Sequence, residues 1–245
     1  MQPGMNETDR SAALARARDY PYAPPTHSYH WRGGAVFDFD PAATAGRTPV
    51  LAVGSNQAPA QLTRKFGQDP AQEIPVQRCH LKGFDTVYSA HIASYGSVPA
   101  MLQTAPGATV ALFVNWLSEA QLARMHATEL RAKNYHYGRL DDIDLILEDG
   151  GGALRSVHAY IGRRGHLVLD GDAVALAAVP AVGRRRQART TAQMLECAHA
   201  RLAPDHALDA FILRLIDDAP FRRDCVAALS ADAAAFAASY AIVAE

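Results

Sequence analysis

Apolar residues change their spacing once along this chain, near Thr190, and that change most limits the folds open to it. Before it, β-branched and aromatic runs at Thr48–Val53, Phe84–Ala93, Val110–Trp116, Tyr135–Leu140 and Asp144–Leu147 read as strands bounded by Gly and Pro. After it, Met194, Leu195, Leu208, Phe211, Leu215, Val226, Leu229 and Phe236 form apolar stripes in an alanine-rich background, which predicts helix to the end of the chain. Between the strands, Ser118 followed three residues later by Gln121 is a capping box, and the helix it opens carries Glu129 at or near its end. Gly96–Gly107 reads as short extended pieces broken by Pro99 and Pro106, and Ser156–Ile161 with His166–Leu169 as a hairpin about Arg163-Arg164-Gly165. Strands followed by helices around one core predict an α+β fold. Roughly 55 residues of helix alone make a marginal core, so 190–245 is expected to pack on the strand-rich domain at 49–189.

Residues 1–48 carry Pro21, Pro24, Pro25, Gly33, Gly34 and Pro41, which resist continuous helix or sheet and predict an extended arm. Tyr20, Tyr22, Tyr29, Trp31, Phe37 and Phe39 give that arm apolar surface to bury, on the domain or on a neighbouring subunit, and a homo-oligomer is left open. Met1–Arg18 is interrupted by Asp9, Arg10, Arg16 and Arg18, with no apolar run of signal-peptide length. The most apolar stretch, Ala173–Val182, is too short to span a bilayer. Lys and Arg number 24 against 25 Asp and Glu, a net charge of −1, so no overall field draws nucleic acid or a membrane surface. Cys79, Cys197 and Cys225 are too few and too scattered for a disulfide framework. The reading is a soluble cytoplasmic protein with a small-molecule partner.

The order Val53-Gly54-Ser55-Asn56-Gln57, then Leu62 in a short helical stretch, Gly96-Ser97-Val98-Pro99-Ala100-Met101-Leu102, Pro106-Gly107-Ala108-Thr109-Val110, Leu117-Ser118-Glu119-Ala120-Gln121-Leu122 and His126-Ala127-Thr128-Glu129 resembles the gamma-glutamylcyclotransferase-like family over roughly residues 49–185. Val53 stands where that family has a loop tyrosine, Gln57 where it has leucine, His126 where it has aspartate, and Leu130 where a glycine commonly follows the glutamate. The resemblance implies a small mixed β-barrel or strongly bent sheet with flanking helices. It implies conversion of a γ-glutamyl amine or dipeptide to 5-oxoproline and free amine, without a cofactor. Glu129 would be the general acid/base, and Val53, Gly54, Ser55, Asn56, Gln57 and Tyr135 would meet the substrate. The alternative is a non-catalytic small-molecule or protein-binding member of the same fold.

The chemistry fits these residue types. Cyclisation needs a group that takes a proton from the α-amine and later protonates the leaving amine, work suited to a carboxylate in a partly dry pocket. Gly54-Ser55-Asn56 after a strand can present backbone N–H groups to a carboxylate or oxyanion. Tyr135 and Tyr137 alternate, so on one strand they share a face. His126 and Glu129 share a helix face, a spacing metal ligands use, but the other histidines form no ligand motif and no metal is expected. Gly183–Arg189 reads as a solvated basic run in which Arg184 could neutralise a ligand carboxylate.

Overall fold

The N-terminal segment is not an extended arm. In the computed structural model, which describes residues 5–131 and 133–245, it opens with helix α1 (Glu7–Arg18), capped by Asn6, with Glu7 and Asp9 in the first turn and Arg16 and Arg18 in the last. The prolines begin after this helix ends. Beyond them, strands β1 (Tyr29–Arg32) and β2 (Ala35–Asp38) form a hairpin, and β1 pairs with a barrel strand. Tyr20, Tyr22, Tyr29 and Trp31 are buried, whereas Phe37 stays half exposed.

Five strands close into a barrel: β3 (Thr48–Ala52), β4 (Glu73–Tyr88), β5 (Ala100–Leu117), β6 (Tyr135–Leu147) and β7 (Ala153–Gly162). Pairing runs antiparallel from β3 to β5, β4, β6 and β7, and a parallel join of β7 to β3 completes the ring, with Val50 opposite His158 and Leu51 opposite Ala159. The α+β barrel expected from the sequence is thus the fold. Helix α2 (Pro59–Phe66) follows the β3 loop, and α3 (Glu119–Glu129) follows β5.

The two central strands are longer and less regular than the sequence suggests. β5 runs continuously through Pro106, because the register of β4 against β5 shifts between Lys82 and Phe84 and leaves that proline outside the paired residues. Gly83 and Gly107, both at positive φ, sit in this irregularity. The two pieces expected at 135–140 and 144–147 are one strand, β6, with a shift between Asp141 and Leu145.

The expected hairpin about Arg163-Arg164-Gly165 does not form. β7 already has β6 on one edge and β3 on the other, so 166–169 finds no edge there. His166 instead bridges Ser89 and Ala234, and β8 (Val168–Leu169) pairs with β9 (Asp172–Ala173). Three short strands follow: β10 (Ala175–Leu176) on β4, β11 (Ala181–Val182) on β5, and β12 (Ala188–Arg189) on β10.

Helices α4 (Thr191–Leu202), α5 (Leu208–Asp217) and α6 (Ala219–Ser230) come next, and their Met194, Leu195, Phe211, Ile212, Leu215, Val226 and Leu229 lie in one apolar cluster with barrel residues such as Leu81, Leu112 and Val114. The tail is not helical to its end. β13 (Ala241–Ala244) pairs with β6 at Tyr137–Arg139, an edge left open because β4 reaches only Leu145–Leu147. Among the described residues no helix is long and apolar enough to cross a membrane.

Candidate functional site

β3 ends at the mouth of a cavity of about 510 Å³, within the range of small-molecule sites. Its loop turns through a 3-10 segment, Ser55–Gln57, and α2 begins with Pro59 in its first turn. Asn115 Nδ2 donates to the Asn56 carbonyl at 3.0 Å, Gln57 Nε2 to the Val53 carbonyl at 3.0 Å, and Tyr29 Oη to the Gln57 carbonyl at 2.6 Å. The loop is therefore preset by the barrel and by β1.

Tyr20, just after α1, holds the loop from the other side. Its hydroxyl accepts the Ala100 N–H at 2.8 Å. A Cβ on Gly54 would overlap this hydroxyl, so the close approach requires glycine. Val53 supplies no phenol, and Tyr20 brings one to the same loop from the N-terminal segment. Burial pushes the Tyr20 hydroxyl well above its usual pKa, keeping it protonated at neutral pH. Tyr20→Phe should leave the buried Ala100 N–H unpaired and lower unfolding free energy in urea by about 1–3 kcal/mol; an unchanged midpoint would show that the hydroxyl anchors nothing.

Glu129 closes α3, whose start is fixed by the Ser118–Gln121 capping box. Its Oε1 accepts from Asn56 Nδ2 at 3.0 Å and from Lys65 Nζ, which also donates to Thr128 Oγ1 at 3.0 Å. Loop, α2 and α3 thus meet at one carboxylate. The Lys65 side chain is 7% exposed and that of Glu129 16%, so the pair is largely out of water. Tyr135 forms a wall of the cavity, its hydroxyl pushed well above the usual range first by burial and then by the Glu129 charge. Tyr160 is raised for the same two reasons, and its hydroxyl lies 2.8 Å from His126 Nδ1.

Val53, Gly54, Ser55, Asn56, Glu129 and Tyr135 all line this one cavity. Gln57 does not: its side chain folds back on Val53 and lines a second cavity of about 440 Å³ beneath Asp19–Thr26. Tyr137 is buried in packing against His126 and His158, at ring separations of 4.5 and 5.0 Å. Arg184 is spent elsewhere, since its guanidinium grips buried Asp85 at 2.7 and 2.8 Å and cannot serve a ligand carboxylate.

Sequence reasoning missed Lys65, Tyr20, Tyr160 and His91. Lys65 had a signal: it lies three residues after Leu62 and one before Phe66, within the apolar stripe of α2, where a lysine needs a partner. His91 lines the cavity, and burial, then Arg164 and Arg222, hold its pKa down to about 4. A histidine kept neutral when folded but free to protonate when unfolded stabilises the fold above its ordinary pKa near 6.5. That contribution is lost as pH falls from about 6.5 through about 4. Wild type should lose about 2–3 kcal/mol between pH 7 and pH 4.5 from this group. His91→Gln should show a correspondingly shallower slope in urea titrations, and an identical slope would contradict the assignment.

No family model and no curated protein matches the sequence. Among solved structures, the chain is similar to a gamma-glutamyl cyclotransferase, at 10% identity and a TM-score of 0.37, covering 78% of this chain and 92% of that one. It is also similar to YkqA from Bacillus subtilis, at 14% identity and a TM-score of 0.34, covering 72% of this chain and 56% of that one.

Proposed function

We propose that the Glu129 cavity cyclises a γ-glutamyl amine or dipeptide to 5-oxoproline and releases the free amine. The observation that carries this reading is the meeting of the Glu129 carboxylate with the Gly54–Asn56 loop on one cavity. In this reading Glu129, through the oxygen not held by Asn56, takes a proton from the α-ammonium of the substrate. The freed nitrogen attacks the γ-carbonyl, the new C–N bond forms as charge builds on the carbonyl oxygen, and the old C–N bond breaks. Glu129 gives that proton to the departing nitrogen as the old bond breaks, then takes the second proton of the attacking nitrogen, which the released amine gains to leave as an ammonium. The two hydrogens lost by the ammonium equal the two gained by the leaving amine, so the step needs no water, metal or redox partner.

A second reading, binding without turnover, is favoured by the Lys65 ammonium on Glu129 Oε1, which competes with a substrate proton for the carboxylate. A panel of γ-glutamyl compounds incubated with the protein separates the two. 5-Oxoproline in proportion to free amine supports the enzyme, saturable binding with no 5-oxoproline supports the binding protein, and neither outcome with any compound overturns both.

A further inference from the structure

The second cavity meets the Glu129 cavity at Tyr20 and Gly54, the two residues that line both. At about 440 Å³ it has room for a small molecule, and the chemistry proposed for Glu129 leaves it unused. Its walls are mainly apolar: Pro21 and Tyr22 from the segment after α1, Ala111 and Phe113 on β5, and Val179 and Pro180 just before β11. The charges on it are already answered. Arg18 pairs with Asp209 and Arg78 with Glu148, while Asp19 is exposed to water. One polar atom is not. Gln57 is only 3% exposed and its Nε2 is committed to the Val53 carbonyl at 3.0 Å, but its Oε1 accepts no hydrogen bond among the described residues and is not closed off from solvent. A lone amide oxygen in an otherwise apolar lining is the kind of group that fixes a ligand's orientation.

We propose that this cavity is a second ligand site, for a neutral aromatic molecule carrying one N–H or O–H donor, and that its occupant is felt at the Glu129 loop through Tyr20. Flat ring and proline faces suit a planar apolar body, and Gln57 Oε1 takes its donor. A charged ligand gains nothing from arginines whose carboxylates are already in place and would lose its hydration. Pro21, Pro24 and Pro25 fix backbone angles along one wall, so little freedom is lost when the site fills. The Tyr20 ring carries the hydroxyl that holds the Ala100 N–H and abuts Gly54, so pressure on that ring reaches the loop beside Glu129. The proposal does not depend on the reaction at Glu129.

Indole is the probe, titrated into nitrogen-15-labelled protein and followed by amide resonances. It should shift the amides of Tyr22, Gln57, Phe113 and Val179, and with them those of Gly54 and Ala100 across the shared wall, with a Kd of about 0.1–1 mM. 1-Methylindole, which lacks the donor, and indole-3-acetate, which adds a charge, should each bind about tenfold more weakly. In Gln57→Met, which has no acceptor, indole and 1-methylindole should bind alike; a difference that persists there would belong to the extra methyl and overturn the role of Oε1. Ala178→Trp, at an exposed position on the cavity, should weaken indole about tenfold or more with the rest of the spectrum unchanged. No shift at about 5 mM indole, shifts confined to other surfaces, undiminished binding to Ala178→Trp, or tighter binding of indole-3-acetate would overturn the site. Shifts around Tyr22 and Val179 that leave Gly54 and Ala100 unmoved would overturn the link to the Glu129 loop.

Discussion

Glu129→Gln should lower kcat for 5-oxoproline formation by about 10²- to 10⁴-fold while leaving substrate affinity nearly intact. Glutamine keeps the size of the side chain and an oxygen for Lys65 Nζ and Asn56 Nδ2, the two donors that hold Oε1. What it loses is the capacity to carry a proton from one nitrogen to the other. It also leaves the largely buried Lys65 ammonium facing a neutral partner, so a stability loss of about 1–3 kcal/mol should accompany the kinetic effect. Thermal unfolding of the variant, measured beside its kinetics, separates the two. Full turnover in a folded variant would remove Glu129 from the chemistry even with the barrel unchanged.

The second large effect is expected at Gly54. Gly54→Ala should destabilise the protein by about 2–3 kcal/mol and weaken ligand binding, because the added methyl takes the place of the Tyr20 hydroxyl and pushes the loop or the N-terminal segment aside. The cause can be isolated by a double-variant cycle. Tyr20→Phe removes the overlapping atom and leaves the ring carbon at 3.2 Å, so part of the Gly54→Ala cost should vanish in the Tyr20→Phe background. Strict additivity of the two substitutions in urea unfolding would show that some other contact makes Gly54 necessary.

Local features of this molecule were legible and distant ones were not. The α3 start could be read because Ser118 and Gln121 satisfy each other's backbone within one turn. The strand order was legible from Gly and Pro punctuation, but the parallel join of β3 to β7 was not, since it pairs residues about a hundred positions apart and leaves no periodic mark. Pro106 looked like a strand end because a proline breaks a ladder, whereas the fold puts it in a register shift where no ladder exists. The alanine-rich tail read as helix by propensity, and the open edge of β6 overrode that preference at Ala241–Ala244. In the site, Glu129 and the Gly54–Asn56 loop were found through motif order. Tyr20 was not, because its hydrogen bond to Ala100 spans 80 positions and lies in a segment whose prolines suggested an arm.

In the proposed reaction the substrate's own amine, and not water, attacks the γ-carbonyl beside Glu129. Incubation of wild-type protein with γ-glutamyl-alanine in water enriched in oxygen-18, followed by mass spectrometry, tests this directly. The expected product is 5-oxoproline free of the heavy isotope, in proportion to released alanine and absent with Glu129→Gln. Glutamate carrying oxygen-18 in its γ-carboxylate would instead identify a hydrolase, and tight binding with neither product would identify a binding protein; either result would contradict the claim.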